Sequence, residues 1–166
     1  GTFDYFTEAI TGEGGASRGD YTASEDDNVI VQGVISDEGG LGYLGLAYYE
    51  ENQDKLAAIA IDDQNPDNGE GCIPPSASTV EEGTYQPLAR PIFIYVSKSA
   101  AEEKPQVQEF IEFYMDSANR DLVTEVGYVA LSDSIYEKAL TRFNERKTGT
   151  IFEDGSTVGV KLNEVL

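Results

Sequence analysis

Apolar residues at positions 3, 6 and 10 recur at i, i+3 and i+7, which places Phe3, Phe6 and Ile10 on one face of a helix. Gly1-Thr2 opens that helix, and Asp4 sits in its first turn, where the helix dipole favours a negative side chain. Thr11-Gly12 closes it, with glycine free to take the left-handed cap. A second helix is expected to about Ile35, capped by Thr22 or Ser24, with Glu25, Asp26 and Asp27 in its first turn and a buried stripe of Ile30, Gly33 and Val34. The pattern then changes. Residues 41–46 and 56–61 are continuous apolar runs and predict short strands, and residues 47–53 start a short helix between them. A further short helix is expected over 77–83. The clearest strand is 92–96, Ile-Phe-Ile-Tyr-Val, β-branched and aromatic and followed by a polar turn. Helical spacing returns after Lys104-Pro105, where Val107, Phe110, Ile111 and Tyr114 share a face that Met115 widens. A short helix over 119–126 ends at Gly127, and 128–131 is extended. Ser132 or Ser134 caps a last helix to about Arg146, packing through Ile135, Ala139 and Phe143.

Two loops carry motifs whose chemistry is weaker than their spelling. Residues 13–21 contain Arg18-Gly19-Asp20, an adhesion-type tripeptide that is common by chance; Arg18 and Asp20 are expected to satisfy each other or the loop backbone. Over 62–71, Asp63, Asn65 and Asp67 alternate as in a calcium loop. Glycine falls at 69, one place late, and Pro74 stands where the terminal Glu belongs, so the stretch predicts a solvated turn.

Composition narrows the function. A net charge of −20, from 31 acidic and 11 basic residues, argues against nucleic acid and anionic membrane surfaces. There is no His, which removes the commonest general base and metal ligand, and the single Cys72 cannot form an internal disulfide. Acidic pairs such as Asp26-Asp27, Glu50-Glu51 and Asp62-Asp63 are sequence neighbours that point different ways, so they make no shared carboxylate pair. No nucleophile motif and no metal pattern accompany them; the expectation is a non-enzyme without cofactor or metal. Length alone predicts one domain with a substantial core, since the chain has 166 residues.

A helix start offers unpaired backbone N–H groups to an anion. Here Gly1 lets an anion approach the backbone, Thr2 adds a hydroxyl, and Phe3 adds a neighbouring N–H. Backbone dipoles of this kind hold an anion without net positive charge, and screening over about 8 Å blunts the repulsion of the acidic remainder.

Four blocks, Gly1-Thr2-Phe3-Asp4-Tyr5-Phe6, Gly40-Leu41-Gly42-Tyr43-Leu44, 85–95 from Tyr85-Gln86-Pro87-Leu88 to Ile94-Tyr95, and Gly127-Tyr128-Val129-Ala130-Leu131-Ser132, come in an order and spacing that resembles one family. It is the periplasmic phosphate-binding proteins of phosphate ABC transporters. The resemblance runs over nearly the whole chain and is least specific from about Gly149. The first block looks like the family's Ser-Gly-Thr phosphate motif without its Ser, and the chain looks like the C-terminal portion of such a protein.

The resemblance implies an α/β fold of the periplasmic-binding type (type II), an incomplete two-lobed sandwich with a central β-sheet flanked by helices. Residues 1–88 are expected to form most of the second lobe. Residues 89–166 would be the returning part of the first lobe, with a hinge crossover near 86–92. The whole protein would capture inorganic phosphate between its lobes and deliver it to a membrane permease, in the periplasm or otherwise outside the cytoplasm, with or without a lipid anchor. Gly1, Thr2 and Phe3 are the phosphate ligands carried over; the family's Ser, Arg and Asp ligands have no counterpart here. Arg90 is expected to serve a structural ion pair. The partners implied are phosphate, the permease and the missing N-terminal part of the same protein, with self-association of the fragment a further expectation. The alternative is a non-catalytic interaction or oligomerisation module derived from the same fold.

Overall fold

The computed structural model describes residues 1–152 and 156–166. Its contacts divide the chain into two compact units, Gly1–Leu88 and Ala89–Leu166. The single domain expected from length alone is therefore replaced by two smaller bodies, each with a thin core.

In the first unit, α1 spans Thr2–Thr11, α2 Asp27–Ser36, α3 Leu46–Glu50 and α4 Ala77–Glu81. The expected stop of α1 is present: Gly12 is left-handed at φ 79° and its N–H bonds the Glu8 carbonyl. The buried residue of α1 is Thr7, while Ile10, expected on the apolar face, is exposed. Asp26, rather than Thr22 or Ser24, caps α2 by accepting from the Asn28 N–H at 3.0 Å. Ser24 instead accepts from the Asp26 N–H, so it shapes the turn ahead of the cap. Val31 is the deepest side chain at 2% exposure, one position away from the predicted stripe. Ser76 and Thr79 cap α4 reciprocally.

In the second unit, α5 is Lys98–Glu103, α6 Pro105–Tyr114, α7 Arg120–Glu125, α8 Asp133–Asn144 and α9 Leu162–Val165. Pro105 occupies the first turn of α6, and Gly127 follows α7 at φ 77°. Ala101, Ile111 and Tyr136 are buried, whereas Phe110 and Tyr114 of the predicted stripe stay exposed. Sequence periodicity missed α5 and α9.

The expected strands are the main departure. Among the described residues the only strand-type pairing is one antiparallel bridge, Ile61 to Ile73, with N···O distances of 2.9 and 2.8 Å. Residues 41–45, 92–96 and 128–131 form neither helix nor ladder, Leu46 opens α3 instead of ending a strand, and Leu41 is 76% exposed. A strand exists only through its neighbour, and among the described residues of either unit these runs find none.

Candidate functional site

The start of α1 is held by contacts from several parts of the first unit. Tyr5 N–H bonds the Gly1 carbonyl at 3.1 Å, so the i→i−4 ladder begins at Tyr5 and the N–H groups of residues 2–4 precede it. Phe3 stacks on Tyr21 with ring centroids 5.9 Å apart, and Phe6 stacks on Tyr43 at 4.0 Å and 10°. The Tyr5 hydroxyl donates to the Pro87 carbonyl at 2.6 Å. From below, the buried Thr7 hydroxyl accepts from Gly15 N–H at 2.7 Å and donates to the Phe3 carbonyl at 2.8 Å. The Gly12–Gly15 turn is thereby pinned under the first turn of the helix.

The electrostatics are mixed. Gly1 nitrogen donates to the Asp4 carboxylate at 3.0 Å, so a negative side chain of the protein already sits at the helix start. An oxyanion arriving there meets favourable backbone dipoles and a carboxylate whose charge is paired with the Gly1 ammonium. Burial, with a smaller contribution from Tyr21, pushes the Tyr43 phenol above its usual range, which keeps this aromatic wall uncharged. Arg18 is committed within its own loop: its guanidinium is paired bidentately with Asp20 at 2.8 and 2.6 Å, as the tripeptide reading expected. That pair raises the Arg18 pKa and lowers that of Asp20.

The structure thus places Gly1, Thr2 and Phe3 at one helix start, Gly1 and Thr2 exposed and Phe3 half-buried. Sequence reasoning missed Gln86. Its side chain is only 6% exposed, and its Oε1 is buried without a hydrogen-bond donor among the described residues. It precedes Pro87, whose carbonyl receives Tyr5. A lone Gln between Tyr85 and Pro87 gives no sequence signal of burial.

The 62–71 loop is built from Asx turns. Asp62, Asp63 and Asn65 side chains accept from the N–H groups of Gln64, Asn65 and Asp67, and the buried Asn68 amide donates to Asp63. Its oxygens are thus turned to the loop's own backbone. A concave region lies in the second unit, a cavity of about 300 Å³ whose lining includes Lys138, Arg142 and Lys147. Lys138 donates to the Asn163 carbonyl and Arg142 to that of Gly149.

A sequence model described as a PBP superfamily domain matches residues 1–118. The chain belongs to the PBP superfamily. It is 49% identical over all 166 residues to Protein SphX of Synechococcus elongatus, spanning 47% of that protein. Phosphate-binding protein PstS of Staphylococcus saprophyticus is 31% identical over 147 residues, which is 87% of this chain and 43% of that one. Among solved structures, a chain described as a possible phosphate binding protein from Planctomyces limnophilus superposes with a TM-score of 0.64 at 40% identity. That superposition covers 88% of this chain and 50% of the other. The PBP-type fold of this chain rests on these matches, and the chain spans about half the length of the curated relatives it matches.

Proposed function

We propose that this chain is part of a phosphate-binding component of an ABC importer. The observation that carries the reading is the start of α1: a glycine cap, Thr2 and Phe3 ahead of the backbone ladder, in a PBP-superfamily chain whose relatives include proteins named for phosphate binding. Gly1, Thr2 and Phe3 donate to the anion; the remaining donors come from polypeptide that completes the relatives' length. In that whole protein the fold is the type II two-lobed α/β sandwich with a central sheet. Residues 1–88 serve as most of the second lobe and 89–166 as the returning part of the first. The hinge crossover lies near 86–92. The protein works outside the cytoplasm, with a membrane permease as partner, and binds without catalysing. No helix among the described residues is long and apolar enough to cross a membrane.

Calorimetric titration of the 166-residue chain with inorganic phosphate is the test. With only one helix start and the Asp4 charge beside it, affinity no better than about millimolar is expected, around −4 kcal/mol. Micromolar affinity or better would mean that the chain holds a complete site and that the partial-site reading is wrong.

A further inference from the structure

The cavity of the second unit joins cations to an apolar wall. It measures about 300 Å³ and is lined from α8, α9 and the segment 147–151. That volume lies at the lower end of the range in which small ligands bind. Lys138, Thr141 and Arg142 stand at i, i+3 and i+4 on one face of α8. That face therefore offers an ammonium, a hydroxyl and a guanidinium to one space, and Ile151, Val165 and Leu166 line the same space.

The two cations of this face are not spent on the protein. With 31 acidic residues against 11 basic ones, a cation without a carboxylate is unexpected. Among the described residues, neither Lys138 nor Arg142 is paired with one. Each gives one bond to a carbonyl, Lys138 to Asn163 at 3.2 Å and Arg142 to Gly149 at 3.1 Å. Those bonds fasten α9 and the 149 turn to α8, and both heads keep further donors. The helix dipole accounts for Arg142, in the last turn of α8, but fades within that turn and does not reach Lys138. Like charges four residues apart on a helix repel, so an anion between them relieves a cost. Lys147, by contrast, is already held by Glu145 at 2.7 Å.

The lining also says which anion. A carboxylate accepts from a guanidinium and an ammonium together. Glu137 lines the same cavity, and its charge opposes a doubly charged anion more than a singly charged one. A phosphate, hydrated on every side, gives Ile151, Val165 and Leu166 nothing to bury, whereas an aliphatic tail removes them from water.

We propose that the cavity between α8 and α9 binds a short aliphatic monocarboxylate. Its oxygens sit on Lys138 and Arg142, with the Thr141 hydroxyl as a further donor, and its tail lies on Ile151, Val165 and Leu166. The site belongs to the second unit and does not rest on the phosphate reading of α1.

The ¹⁵N- and methyl-labelled chain is titrated with acetate, butanoate and hexanoate at constant ionic strength, with hexylammonium and inorganic phosphate as comparison probes. NMR signals of Lys138, Thr141, Arg142, Ile151 and Val165 are expected to move together and saturate. Hexanoate should bind about tenfold tighter than butanoate, because each buried methylene is worth about threefold. Lys138→Gln and Arg142→Gln should each weaken hexanoate by about tenfold or more, the fold equivalent of losing one charge-assisted bond. Arg142 also holds Gly149, so Lys138→Gln, whose circular dichroism should match the parent, decides if Arg142→Gln fails to fold. Val165→Ser should shrink the gain with tail length and leave acetate unaffected. No saturable shift, equal affinity for acetate and hexanoate, unchanged affinity in Lys138→Gln, or hexylammonium or phosphate moving these signals as strongly as hexanoate would each overturn the proposal.

Discussion

Gly42→Val is expected to destabilise the first unit by about 2–3 kcal/mol, enough to remove a large share of the stability of a small domain. A Cβ at Gly42 would sit 2.9 Å from Val34 Cγ2 and 3.0 Å from Ile30 Cγ2. Both contacts are methyls of β-branched residues on α2, whose side chains have one favoured rotamer in a helix and cannot swing away. The backbone must move instead. Tyr43 follows immediately and stacks on Phe6, so the displacement also loosens the support of α1. In urea unfolding the midpoint should fall with the slope unchanged. A change below about 0.5 kcal/mol, the size of an ordinary surface substitution, would show that the approach of this loop to α2 is not tight.

Ile111→Ala is expected to cost about 3 kcal/mol in the second unit. Ile111 is 4% exposed, and the other buried apolar residues of the second unit, among the described residues, are few: Ala101 on α5 and Tyr136 on α8. A core so small has little to collapse into the cavity. Phe110→Ala, one position earlier on the same helix, should cost less despite removing a larger side chain, because Phe110 is exposed. The pair is measured by loss of helical circular dichroism in denaturant. Equal effects, or a larger one for Phe110, would mean that α6 buries a different face from the one described.

Helices were legible in the sequence wherever a local device ends or starts them. Gly12 and Gly127 stop α1 and α7, Pro105 starts α6, and Ser76 caps α4. These devices act within a few residues, so no tertiary partner is needed. The buried positions were less legible: Val31 and Thr7 lie beside the predicted apolar faces, because loops decide which part of a helix is covered. α5 escaped because Lys-Ser-Ala-Ala-Glu-Glu carries no apolar period, and its start rests on Ser97 alone. The apolar runs were read as strands, but a ladder depends on distant backbone, and among the described residues only Ile61 meets one, in Ile73. The candidate site divides in the same way. The start of α1 was visible as Gly-Thr before a periodic helix. Its supports, Thr7 under the turn and the Tyr5 hydroxyl on the Pro87 carbonyl, depend on residues 8 to 82 positions apart coming together, which no local pattern reports.

The grip on an oxyanion by the opening turn of α1 is tested most directly by residue-resolved NMR of the ¹⁵N-labelled chain. Inorganic phosphate is added against sodium chloride of equal ionic strength. The amide signals of Thr2, Phe3 and Asp4 should move first and together, saturating only near millimolar phosphate. Shifts that leave those three amides still while appearing around Lys138 and Arg142 would place the anion elsewhere and contradict the account.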